Sequence, residues 1–206
     1  MRLLKTTTFL LIIIFLNSCA SGYKIIEPET INYISNNFAD NVSLQYKYDL
    51  LDKKYAKKEV KKGVKLVAVK ITNNSEKDLV FGKDIKLIYE NGNEIYVMEN
   101  EKVYKNLKQS PATYLFYLLL TPINFYTTER NSNGFEEQTS SFPIGLILGP
   151  GLAGGNMIAA GSANKKFKSE MMSYNIHGTV IEKGETRYGL IGIKSGSYDA
   201  IRFTIE

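Results

Sequence analysis

The chain has 206 residues, a formal charge of +5, one cysteine and no tryptophan. A single cysteine excludes a disulfide framework, a cysteine-rich zinc site and an iron–sulfur cluster. Apolar and charged fractions of 44% and 23% exclude a disordered tail and fit one domain of ordinary size with room for an appended segment.

Residues 1–18 run from a basic start (Arg2, Lys5) through Phe9-Leu10-Leu11-Ile12-Ile13-Ile14-Phe15-Leu16 to small or polar residues, the layout of a secretory signal peptide. The apolar stretch falls short of the roughly 20 residues that a permanent helical span needs. The cysteine follows directly, in Leu16-Asn17-Ser18-Cys19. This arrangement resembles the lipobox of bacterial lipoproteins, with Asn17 standing where the family more often has a small residue. The resemblance implies that Cys19 is acylated and begins a mature chain of about 188 residues, and that the bilayer is a partner through that lipid. Acylation also removes a thiol that would otherwise oxidise, and several acyl chains give stable anchoring where one is marginal. Ala20 and Ser21 after the cysteine imply, by the same resemblance, the outer membrane, and residues 20–28 carry no acidic run that would send the protein outward. The expected location is therefore lipid-anchored and facing the periplasm.

Residues 19–28 read as a lipidated tether, and Pro28-Glu29 as the start of a short helix to about residue 39. Val42, Leu44, Tyr46, Tyr48 and Leu50 alternate with polar residues as a half-buried strand. The lysines that follow, Lys53, Lys54, Lys57, Lys58, Lys61 and Lys62, read first as a solvated connection between strands. The competing reading is a contact with anionic phosphates of lipid headgroups. No aromatic ladder accompanies them, so nucleic acid is not expected. Val64–Ile71, Leu79–Phe81, Ile85–Tyr89, Glu94–Met98, Tyr174–Ile181, Arg187–Ile193 and Ala200–Ile205 are the further strands, and Asn91-Gly92-Asn93 makes a hairpin of the third and fourth. Short antiparallel strands at this spacing give a mainly β fold over residues 29–206. It resembles the immunoglobulin-like β-sandwich without the Cys…Trp…Cys signature.

An insertion of different composition occupies residues 101–172. A helix from Glu101 to Gln109 leads into Ala112–Leu120, then a polar connection from Thr127 to Ser141, then a second apolar stretch from Phe142. Pro150 suits the first turn of its helix, and Gly151, Gly155, Ala159 and Ala163 recur every fourth residue as a smooth ridge for close helix packing. The expectation is an apolar, glycine-rich α-helical hairpin. It either folds back on the sandwich, lies on the membrane, or mates with an envelope protein or a second copy.

His177 lies alone on an expected strand. The chain contains no Gly-x-Ser-x-Gly elbow, His-Glu-x-x-His or Walker loop, and no metal-binding spacing. No enzyme, metal or cofactor is expected. The leading functional reading is a non-catalytic envelope lipoprotein that binds or scaffolds another component. The alternative is capture of a glycan or peptide on the sandwich through its tyrosines.

Overall fold

The computed structural model describes residues 19–206, so the expected signal peptide and positions 16–18 of the lipobox-like segment lie outside the described residues. The chain divides into two compact units. The larger comprises Tyr23–Lys108 and Ala163–Glu206; the smaller comprises Gln109–Ser162 together with residues 19–22. The smaller unit is thus narrower than the expected insertion of 101–172.

In chain order the larger unit begins with β1 (Asn37–Ala39), β2 (Val42–Lys47), α1 (Lys53–Lys62), β3 (Val64–Asn73), β4 (Leu79–Val80), β5 (Ile85–Tyr89), β6 (Val97–Met98) and α2 (Asn100–Leu107). The smaller unit contributes a 3-10 helix (Pro111–Leu120), β7 (Phe125–Arg130), β8 (Glu136–Phe142) and the start of α3 (Gly145–Ser173). The larger unit resumes along α3 and closes with β9 (Val180–Ile181), β10 (Thr186–Lys194) and β11 (Ile201–Ile205).

The centre of the larger unit is an antiparallel five-stranded sheet in the order β1-β2-β3-β10-β6. Antiparallel pairs β5–β11 and β4–β9 stand apart from it. β3 is buried on both faces, which is why it reads as a continuous apolar run. Val67, Val69 and Ile71 join Leu44 of β2 and Ile191 of β10 in a core shared with Leu79, Leu87, Ile181 and Phe203 of the outlying pairs. Leu66 and Ala68 point the other way, into a second core with Tyr55 of α1, Val103 and Leu107 of α2, and Phe167 and Met171 of α3. The fold is thus strand-rich and mixed, with helices covering one face of the main sheet.

Several elements differ from expectation for local reasons. Residues 29–39 form only a 3-10 turn at Pro28–Thr30 and then run extended into β1, where Ile34 and Phe38 are exposed and no apolar helix face is buried. The lysine run is a helix, not an open connection. Tyr55 and Glu59, one turn apart, supply its buried face, and Gly63 ends it at φ 59°. Glu94–Met98 does not form one strand on β5: Ile95 donates to Leu87 O at 2.8 Å, but Val97 and Met98 cross to pair with β10. Tyr174–Ile181 reduces to the two residues of β9, because α3 runs on to Ser173.

In the smaller unit Ala112–Leu120 is a 3-10 helix and not an α-helix, and the polar connection is the antiparallel hairpin β7–β8. The expected pair of α-helices is therefore one 3-10 helix, a β-hairpin and one α-helix. α3 begins five residues before Pro150, which sits inside it and gives up one backbone hydrogen bond.

Candidate membrane-contact site

A 3-10 helix has three residues per turn, so side chains at i and i+3 eclipse. Tyr114 and Tyr117 occupy one such line and are buried, in a small core with Ala153 and Ala160 of α3. Phe116 and Leu119 occupy another and are 73% and 74% exposed. On α3 the inward residues are again small, Ala160 being fully buried, while Ile147 and Ile158 are 63% and 75% exposed. At the base of β7–β8, Phe125, Tyr126 and Phe142 are exposed as well. The unit is inverted relative to a water-soluble domain: alanines and two tyrosines are inside, while leucines, isoleucines and phenylalanines are outside.

Charge is distributed to match. Among the described residues of this unit the only charged side chains are Glu129, Arg130, Glu136 and Glu137, all in the hairpin. Asn131 shapes its tip, accepting from the Phe135 amide at 2.9 Å through Oδ1, and Gly134 supplies the left-handed turn residue at φ 82°.

Ala20 and Ser21 are fastened onto this unit. The Ala20 amide donates to Asn156 Oδ1 at 2.5 Å, and Asn156 Nδ2 donates in turn to Leu152 O at 2.8 Å. Ser21 and Gln109 exchange two bonds, Ser21 N to Oε1 at 3.1 Å and Nε2 to Ser21 O at 2.6 Å. Tyr114 Oη donates to the same Oε1 at 3.3 Å. Burial and the neighbouring Cys19 push the Tyr114 hydroxyl up from its ordinary value. Cys19 itself is exposed. Within the expected tether of residues 19–28, Ala20 and Ser21 are thus hydrogen-bonded to the unit. Within the larger unit Ile26 is likewise buried, its amide donating to Glu170 Oε1 at 2.6 Å.

The four residues of the glycine ridge differ in exposure. Gly151, Gly155 and Ala159 are exposed, and a Cβ built on either glycine meets nothing within 4 Å. Ala163 alone of the four is buried, in the larger unit. The glycines that permit close packing are Gly145 and Gly149. A Cβ on Gly145 would stand 2.2 Å from Leu120 O, and one on Gly149 would stand 2.8 Å from Thr121 Oγ1 and 3.2 Å from Tyr117 O. Gly145→Ala should therefore unseat the 3-10 helix, whereas Gly151→Ala should leave it in place and stabilise α3 by up to about 1 kcal/mol. Protease protection of Tyr114–Leu120 distinguishes the two, and equal protection would refute the assignment.

Of the six lysines, Lys53, Lys57, Lys61 and Lys62 are exposed on α1, and Lys54 and Lys58 are half-buried. They form one cationic face, with Lys61 and Lys62 in the last turn where they complement the helix dipole. His177 lies in a turn, its ring covering Gly82 beside a cavity of about 260 Å³. A second cavity, of about 490 Å³, is polar and lined by Tyr89, Glu90, Asn91, Asn93 and Asp199. Among the described residues no three His, Cys, Asp or Glu side chains gather as a metal site would require.

No family model, no curated protein and no solved structure matches the chain.

Proposed function

We propose that the protein is a non-catalytic, lipid-anchored lipoprotein of the bacterial outer membrane, facing the periplasm. Its smaller unit beds into the bilayer. Its larger unit, whose paired strand layers we read as an immunoglobulin-like sandwich with a helical cover, binds or scaffolds another envelope component. The observation that carries this reading is the inverted polarity of the one unit onto which the residue after Cys19 is fastened. Acyl chains at Cys19 and an apolar exterior on the same unit address the same solvent. Each large side chain moved from water into lipid contributes about 1.5–3 kcal/mol.

The test is fractionation with mass spectrometry of the N-terminal peptide. Wild type should carry acyl mass on Cys19 and sediment with membranes. Cys19→Ser should lose the lipid but retain partial membrane association. Adding Phe116→Asp and Leu119→Asp, both exposed and so neutral for folding, should reduce the remaining partition roughly a hundredfold or more. An unmodified Cys19, or a triple variant that partitions like Cys19→Ser, would overturn the reading.

The second reading, capture of a glycan or peptide, draws on the 490 Å³ polar cavity. Beside its lining residue Asp199, Tyr198 is half-exposed, stacks edge-on against Tyr48 at 5.4 Å and lies under the Lys65 ammonium at 3.8 Å. A glycan array that stays blank with folded protein would remove it.

A further inference from the structure

The first 18 residues of α3, Gly145–Ser162, contain no charge, and by length and composition this helix could cross a membrane. We infer instead that it lies in the plane of the membrane surface, with the hairpin β7–β8 on the same side of the bilayer as the acylated Cys19. The inference rests on the lipid-anchor reading above and deepens it.

Of three polar markers, one precedes this helix and two lie along it. The hairpin bearing Glu129, Arg130, Glu136 and Glu137 precedes Gly145. The Ala20 amide is fastened at Asn156. Lys165 and Lys166 follow Ser162 on the same helix. At 1.5 Å per residue, Gly145, next to the base of the hairpin, is separated from Asn156 by about 16 Å and Asn156 from Lys165 by about 14 Å. The hydrocarbon core is about 30 Å thick. If α3 crossed the bilayer with its lysines at one surface, Ala20 would sit near the midplane. The glyceryl and carbonyl groups of an acylated Cys19 would be drawn there from the headgroup boundary, together with non-helical backbone that has no water to bond.

The companion stretch is also too short to cross. The 3-10 helix Pro111–Leu120 rises about 2 Å per residue and reaches about 20 Å. The strands beyond it are open-edged and carry Thr127, Thr128, Thr139 and Ser140, which cannot face lipid with unpaired backbone. With the axis parallel to the surface, all three markers lie at the interface together. The eclipsed Phe116–Leu119 line and Ile147 and Ile158 then supply the side chains that reach the acyl region.

Sidedness decides between the orientations. Acylated Cys19 presents no free thiol, so single cysteines can be introduced at Ser132 in the hairpin tip and at Lys77 in the larger unit, both exposed. Each full-length acylated protein is reconstituted into vesicles and treated with a membrane-impermeant maleimide. Ser132→Cys and Lys77→Cys should label to the same extent without permeabilisation. A fluorophore at Ile147→Cys and one at Ile158→Cys should be quenched by the same shallow brominated lipid. Ser132→Cys protected while Lys77→Cys reacts, or quenching of the two fluorophores at depths about 16 Å apart, would establish a crossing helix and overturn the inference. Absence of acyl mass on Cys19 removes the anchor reading instead, and is read separately by mass spectrometry.

Discussion

Replacing Gly192 by alanine should destabilise the larger unit by about 2–3 kcal/mol, near the upper end of what overpacking a core costs. Gly192 lies in β10 opposite Leu66 of β3 and Met98 of β6, and Val103 of α2 stands directly over it. A Cβ at this position would lie 2.1 Å from Val103 Cγ2 and 2.9 Å from Cγ1, separations that require the helix to move. The small gain in strand preference from glycine to alanine does not offset this. Since Val103 and Leu107 close the core between the sheet and the helices, displacing α2 opens that core. Thermal unfolding should show Tm lowered by about 5–10 °C. Gly192→Ala combined with Val103→Ala should recover part of the loss, so that the double variant is about 1–2 kcal/mol more stable than the sum of the single changes predicts. Strict additivity would refute the close approach.

Glu59→Gln should stabilise the protein above neutral pH and flatten its stability profile between about pH 4.5 and 7. Glu59 is 3% exposed, in the middle of the lysine-rich helix α1, and its Oε1 accepts the Leu66 amide at 2.7 Å. Burial pushes its carboxyl up from the usual 4.5 to about 7, opposed by the Leu66 amide and Lys65 and reinforced by Asp49. The folded state therefore holds a proton that the unfolded state has already released. Its contribution is full below 4.5, falls as pH rises through the window, and reaches a penalty on the order of 3 kcal/mol above 7. Glutamine keeps the carbonyl acceptor for Leu66 and cannot ionise. Denaturant unfolding at pH 5 and pH 8 should give a wild-type difference that the variant loses in large part. Glu170, also raised by burial, contributes a residual slope of the same sign. An unchanged difference in Glu59→Gln would assign the pH dependence elsewhere.

How far the strands were legible follows from their burial. β3 and β10 were recognisable within a residue or two, because a strand buried on both faces concentrates β-branched and apolar residues in one run. β7 and β8 were not, because every residue in them is exposed and neither face alternates. Tyr55 and Glu59 were concealed among lysines: two inward residues in ten leave no periodic signal when one of them is charged. Gly145, Gly149, Gly151 and Gly155 are likewise not ranked by spacing alone. Gly145 and Gly149, like Gly151 and Gly155, stand four residues apart, and only the position of Leu120, Thr121 and Tyr117 across the gap separates a glycine that must be small from one that merely is.

From sequence alone, the lone cysteine after an apolar leader resembles a lipobox, and the uncharged stretches on either side of a polar connection mark an unusual segment. Such features are set by composition and order along the chain, which three-dimensional packing does not alter. The tertiary structure alone decided which side of that segment is outward and where Ala20 attaches. Whether Phe116 faces a neighbour or the solvent depends on the 3-10 winding of its helix and on Tyr114 and Tyr117 filling the space against Ala153 and Ala160. The bond from Ala20 to Asn156 joins residues 136 apart, and only folding brings such groups within reach.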